Sequence, residues 1–424
     1  MRIFEQLESQ VRSYVRSFPA IFDTAEGSFL FDEQGNRYID FFAGAGTLNY
    51  GHNNPRINSA LIEYLQRNGI VHGLDKATVA KKNFLQKFYD TVLAPRHLEY
   101  KVQFTGPTGT NAVETALKLA RMVKGRSNVI AFTNGFHGLT LGSLAVTGNN
   151  FYRDEFFGMR ANVDHMPYDG YFEGLDSIAY LRRMLEDNSS GIDLPAAIIT
   201  ETVQAEGGIN VASVEWLKQL EQLCREFDIL LIVDDIQVGN GRTGTFFSFE
   251  RAGIYPDMVT LSKSIGGGLP LALSLIRPDL DQWKPGEHTG TFRGNNLAFI
   301  AATEALAYWD GEDMPEAVSY KADILDTELR RIADKYPDLG ATVRGIGLIQ
   351  GLHIPRAGFC SQISEEAFNK GVVIELSGAD DDVVKFLPSL LIEEDILREG
   401  LQVIDQAIGD LLARKDELRG GAVL

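Results

Sequence analysis

The sequence predicts an α/β protein: a large domain with a mostly parallel sheet covered by helices, followed by a smaller α+β C-terminal domain. Three observations lead there. Short apolar runs recur from about residue 100, namely VQFT (102–105), NVIAFT (128–133), AAIITE (196–201), ILLIVD (229–234), MVTLS (258–262) and LALSLI (271–276). Such unbroken Val/Ile/Leu runs mark strands buried on both faces, and the helical stretches between several of them give the alternation of βαβ units. Past about residue 305 the texture changes to long polar-faced helices (313–336 and 393–416) around short strands near 343–354, 371–376 and 383–388. The expected division is an N-terminal helix and segment over 1–50 packing with the small domain, a large domain over 51–305 and a C-terminal domain over 306–424.

Along the chain, Phe4, Leu7, Val11 and Tyr14 recur at helical spacing before the breaker Pro19 and predict a short amphipathic helix whose apolar stripe needs a partner surface. In TGPTGTNAVETALKLARMVKGR (105–126), Val113, Ala116, Leu117, Ala120 and Val123 share one helical face, Gly125 is placed as the stop, and Gly106, Gly109 and Thr110 crowd the entry. A glycine-rich turn from strand into helix offers unpaired N–H groups and the positive end of the helix dipole, a cradle for phosphate. The ending GK[ST] of a nucleoside-triphosphate loop is missing. Alone, the segment reads equally as a plain capped helix.

Composition excludes other classes. With 44% hydrophobic and 23% charged residues the 424-residue chain is an ordinary globular protein, and a net charge of −18 disfavours nucleic acid or an anionic membrane as partner. No window approaches the roughly 20 apolar residues of a membrane helix, and the start lacks a signal peptide's apolar core, so the expected address is the cytosol. Cys224 and Cys360 have no metal-site or disulfide spacing, and no metal site is expected.

The chemistry gathers at strand ends. ILLIVD closes on Asp234 and Asp235, and MVTLS is followed by Lys263 and then Gly266, Gly267 and Gly268. A lysine at the end of a buried strand loses its proton readily enough to attack a carbonyl. Asp234, Lys263 and the helix start at Gly109 and Thr110 fall at the same edge of one sheet, where such sheets bind ligands. They match the three needs of pyridoxal 5'-phosphate: a carboxylate facing the ring nitrogen, an amine for the Schiff base and a phosphate cradle. Asp235 points to the opposite face by strand alternation and reads as structural. The plain alternative for Asp234 is a cap after the strand, and for Lys263 a snorkelling side chain.

Together with FFAGAGTLNYGHNNP, TNGFHG, ETVQAEGG, VDDIQVGNGRTG, LSKSIGGGLP and WKPGEHTGTFRGNN, these motifs resemble the class III (ω-) aminotransferases of the fold-type I, aspartate aminotransferase-like pyridoxal phosphate enzymes, from roughly residue 5 to 415. The resemblance implies that Lys263 binds the cofactor and moves the proton, that Gly109 and Thr110 bind its phosphate, that Phe136 and Ile236 pack on the two ring faces, and that Gln237 lies beside the phenolic oxygen. Thr291 matches a threonine that reaches the phosphate of a neighbouring subunit, which implies a homodimer or dimer of dimers. His137 reads equally as a cofactor neighbour or a satisfied loop histidine. Glu201 and Glu206 fall at the acidic positions of EPxQGE, with Thr202 and Ala205 replacing its Pro and Gly. Glu206 corresponds to the partner of a C-terminal arginine, but that motif here is KFLP, with Lys385 in its place, and lysine lacks the bidentate fork of a guanidinium. Arg293 is the candidate to supply that guanidinium to the substrate. Within the family the motifs are nearest to members that aminate the terminal aldehyde of aspartate 4-semialdehyde with glutamate, in ectoine or siderophore pathways. The alternatives are another ω-amino acid transaminase acting on ornithine, GABA or a related diamine, or a same-fold aminomutase or racemase. A non-catalytic α/β scaffold would treat the same residues as packing details, and a nicotinamide-dependent dehydrogenase wants a GxGxxG unit that is absent.

Overall fold

The computed structural model describes residues 2–153, 162–311 and 313–420. The N-terminal segment forms an antiparallel meander of β1 (Phe22–Glu26), β2 (Phe29–Asp32) and β3 (Arg37–Asp40). The large sheet takes β4 (Lys101–Phe104), β5 (Val129–Phe132), β6 (Val163–Met166) and β7 (Ala197–Thr200). After a two-stranded ribbon, β8 (Val203–Gln204) with β9 (Asn210–Val211), it adds β10 (Leu230–Asp234), β11 (Met258–Leu261) and β12 (Leu273–Ile276).

The spatial order is β4-β12-β11-β10-β7-β5-β6. β12 runs antiparallel to both its neighbours, and the other six strands run parallel to one another. Every residue of β5, β7, β10, β11 and β12 is buried, as unbroken apolar runs require when helices cover both faces. The helix Gly109–Lys124 buries Val113, Ala116, Leu117 and Ala120 in the core cluster that holds β5 and β10, and ends on Gly125 at φ +61°. β6 was not anticipated: its sequence VDHM sets two polar residues between two apolar ones, which an edge strand tolerates.

A second antiparallel sheet follows, β13 (Thr342–Ile346), β14 (Ile349–His353), β16 (Glu375–Ser377) and β17 (Val383–Phe386), in the order β13-β14-β17-β16. β15 (Val372–Val373) belongs to neither large sheet; it pairs in parallel with β3. The chain therefore changes sheets at Ile374, one residue before Glu375. The helices Asp313–Lys335 and Glu394–Gly420 lie close to their expected ranges.

One expectation fails. The single N-terminal amphipathic helix is two short pieces, Arg2–Leu7 and Tyr14–Ser17. Leu7 and Val11 are 80% and 87% exposed, so the middle of this stripe covers nothing within the chain, while Tyr14 packs on Phe42; a helix of that length without tertiary packing is not held.

Candidate active site

Five strands lead to one edge of the large sheet. β10 ends at Asp234 and β11 leads through Ser262 to Lys263; β5 leads to Phe136 and His137, β7 to Glu201, and β4 to the helix starting at Gly109.

Asp234 is 4% exposed and has three partners. Its Oδ2 lies 2.8 Å from His137 Nδ1, while Oδ1 accepts from the Thr260 hydroxyl at 3.1 Å and the Ile236 N–H at 3.2 Å. Burial alone would lower the His137 pKa, but the hydrogen bond and charge of Asp234, with Glu201 behind them, raise it above the ordinary histidine value. Asp235 turns away, accepting from Ser248 N–H at 3.2 Å and from the Ser248 hydroxyl, and burial pushes its pKa up to about 7. Adjacent acids on one strand thus face different neighbours.

Lys263 has φ +51°. A non-glycine residue in that left-handed region costs on the order of 1–3 kcal/mol, and such strain concentrates at functional sites. Among the described residues no hydrogen bond or ion pair engages its Nζ. Burial lowers its pKa, Glu206 opposes the fall, and Lys385 adds to it. The Glu201 carboxylate accepts the Phe136 N–H at 2.9 Å, and burial raises its pKa to about 8 against the pull of the His137 charge.

At the start of Gly109–Lys124 no side chain caps the helix. Thr110 Oγ1 sits 2.6 Å from Thr140 Oγ1. A Cβ on Gly138 would lie 2.6 Å from Thr110 Oγ1, and one on Gly109 would lie 3.0 Å from Ile236 Cδ1, so glycine is needed where the loops close on the helix end.

The chain matches the Aminotransferase class-III family over residues 11–408. It is 68% identical over 424 residues to the diaminobutyrate--2-oxoglutarate transaminase of Wolinella succinogenes, covering 100% of this chain and 99% of the relative. It is 54% identical over 412 residues to the protein of the same name from Oceanobacillus iheyensis, covering 96% of each. Among solved structures it superposes on the ornithine aminotransferase of Toxoplasma gondii with a TM-score of 0.83 at 26% identity, over 98% of this chain and 95% of that one. The chain belongs to the class III aminotransferases. Enzymes of this family depend on pyridoxal 5'-phosphate, and so does this chain.

The aminotransferase site fits that group on its own chemistry. The Gln237 amide donates Nε2 to Ala45 O and to Glu206 Oε1, both at 2.9 Å, and leaves its Oε1 buried without a partner among the described residues. The uncapped helix start suits an anionic phosphate, the Lys263 amine a carbonyl, and the orphan Gln237 oxygen a hydroxyl that donates, all of which this cofactor carries. Phe136 is half-buried, its ring 5.5 Å from that of Tyr152 in a T-shaped contact, and both line a cleft of about 670 Å³ with Glu206 and Glu375.

Two expected site residues stand apart from this cluster. Thr291 is exposed, and its backbone oxygen meets His72 Nε2 at 2.9 Å. Arg293 pairs with Asp75 at 2.6 Å and donates to His288 O, in a separate cleft with Lys81 and Trp283. Within one chain Arg293 does not meet the Glu206–Lys385 pair. Its guanidinium is engaged by the Asp75 carboxylate.

Lys385 is 0% exposed and lies 2.7 Å from Glu206 Oε1 and 2.8 Å from Glu375 Oε2. The two carboxylates raise its pKa far above the ordinary lysine value against the effect of burial. Glu375 in turn accepts the Tyr14 hydroxyl at 2.7 Å. Glu375, Tyr14 and Thr260 were missed in the sequence. The available signal was Lys385 itself, since a lysine inside the apolar run VVKFL demands a buried anion.

Proposed function

We propose that this aminotransferase carries the amino group of L-glutamate to the terminal aldehyde of L-aspartate 4-semialdehyde, giving L-2,4-diaminobutyrate and 2-oxoglutarate. The full-length likeness to the Wolinella succinogenes relative, whose name states this amine and this oxo acid, carries the substrate assignment. The edge holding Lys263 and Asp234 supports the chemistry.

Bound pyridoxal phosphate supplies an aldehyde that takes the amine and a ring that accepts the electrons of a broken C–H bond. Gly109 and Thr110 would hold the phosphate, with Thr291 reaching across from a second copy. Phe136 and Ile236 would pack on the ring faces, Gln237 would meet the phenolic oxygen, and Asp234 would face the ring nitrogen. Asp234, braced by His137 and Thr260, keeps a negative charge fixed there. Glu201 orients the Phe136 loop through its N–H. Lys263 Nζ, whose pKa burial lowers, would take a proton from the substrate carbon and return it in the second half of the cycle. Glu206, held by Lys385 and Gln237, borders the substrate cleft, and Arg293 is the candidate carboxylate partner for glutamate across a subunit boundary. We read the assembly as a homodimer or dimer of dimers in the cytoplasm, serving an ectoine or siderophore pathway. The boundaries near residues 50 and 305 mark its domains. No described helix is long and apolar enough to cross a membrane.

The test is direct. Purified protein should be yellow, fix a borohydride label on Lys263, and make 2-oxoglutarate and diaminobutyrate from glutamate and aspartate 4-semialdehyde. Turnover of ornithine or 4-aminobutyrate with none of aspartate 4-semialdehyde would reassign the substrate. Turnover without any oxo acid would point to an isomerase.

A further inference from the structure

The cleft that holds Phe136 also carries two carboxylates beside one shared cation. Glu375 and Lys385 are directly paired across β16 and β17. Lys385 gives its aligned hydrogen bond to Glu206 Oε1. Glu375 Oε2 lies 2.8 Å from the same ammonium, so Glu375, itself 8% exposed, shares that one cation with Glu206. Its other oxygen is fixed by Tyr14, whose ring rests on Phe42 with centroids 4.8 Å apart. Glu206, Glu375 and Tyr14 all line the cleft, and the charges of Glu206, Lys385 and Glu375 are all felt at Lys263. The wall therefore sets two carboxylates on a single ammonium.

A substrate whose terminal amine is at Lys263 presents its other end to this wall. If that end is only a carboxylate, it adds an anion beside two carboxylates that share one cation. If it is an α-amino acid end, its ammonium brings a second cation for Oε2 of Glu375, and its carboxylate can then turn to Lys385 with one rival fewer. Building on the transamination proposed above, we infer that Glu375, positioned by Tyr14, recognises the α-ammonium and makes the site select α,ω-diamino acids over ω-amino acids that lack it. A site built to bond a charged polar group rejects the analogue without it because its own buried group is left unpaired.

2,4-Diaminobutyrate and 4-aminobutyrate differ only by that ammonium. With the holoenzyme and saturating 2-oxoglutarate, whose half-reaction both amines share, the ratio of their kcat/KM values isolates its recognition. The wild type should favour diaminobutyrate. Glu375→Gln, which keeps the shape and can still meet Tyr14, should lower that ratio about 10- to 100-fold, chiefly through KM for diaminobutyrate. Glu375→Asp should recover part of it. An unchanged ratio, or equal losses for both amines, would overturn the assignment. Should Glu375→Gln not fold, Tyr14→Phe at a half-exposed ring carries the test, with a fall of about 3- to 10-fold expected and no change in the ratio overturning it. A wild type that turns over neither amine would instead defeat the proposed function, and this inference with it.

Discussion

Two lysines meet opposite fates in this chain. Lys263 stands at the end of a parallel strand with a strained backbone and no bonded partner, and burial lowers its pKa. Lys385, inside an antiparallel strand, is clasped by two carboxylates that raise it. Burial penalises both ammonium groups, and the difference is whether an anion arrives within bonding distance. Among the described residues one lysine is left without a bonded anion; the other holds Glu206 and Glu375 in place.

Exchanging the roles should break the contrast. Lys263→Ala should reduce transamination by about 10³-fold or more, with loss of the visible absorbance, while thermal unfolding of the apoenzyme changes little. Lys385→Met should act first on stability. Leaving two carboxylates without their shared cation should cost about 3–5 kcal/mol in urea unfolding at pH 8. The cost should shrink at pH 5, because burial and the Glu206 charge raise the Glu375 pKa and a carboxyl that has taken up a proton no longer needs a cation. Equal losses at the two pH values would show that packing, rather than charge, sets the effect. Glu201→Gln gives the smallest change. The folded Glu201 holds its proton up to about 8 against an ordinary 4.5, so wild-type stability falls as pH rises between those values, when the unfolded chain releases a proton that the folded one keeps. Scanning calorimetry should show the variant gaining roughly 2–4 °C over the wild type across that window, and no gain below it.

Much of the sheet was legible because a strand buried on both faces must be written as an unbroken apolar run: five of the seven strands announce themselves in this way, from NVIAFT to LALSLI, and the edge strand β4 shows a weaker form of it in VQFT. β6 did not, since an edge strand tolerates Asp164 and His165 among its four residues. The N-terminal helix was misjudged for the complementary reason. Helical spacing of Phe4, Leu7, Val11 and Tyr14 fixes which residues could share a face but cannot supply the surface that face must cover. At the site, Asp234, Lys263 and Gly109 could be placed together because the parallel sheet brings strand ends to one edge whatever lies between them. Glu375 and Tyr14 could not, because their meeting depends on the chain leaving β15 for β16 at Ile374 and on the N-terminal segment lying over that crossing.

The sequence by itself therefore determined the parallel sheet, its carboxyl edge and the lysine–aspartate pair there, since these follow from local periodicity and the direction of buried strands. Only the tertiary structure decided which lysine is bonded and which is free. A side chain's charge state is set by the groups within a few ångströms of it, and those groups come from residues hundreds of positions apart.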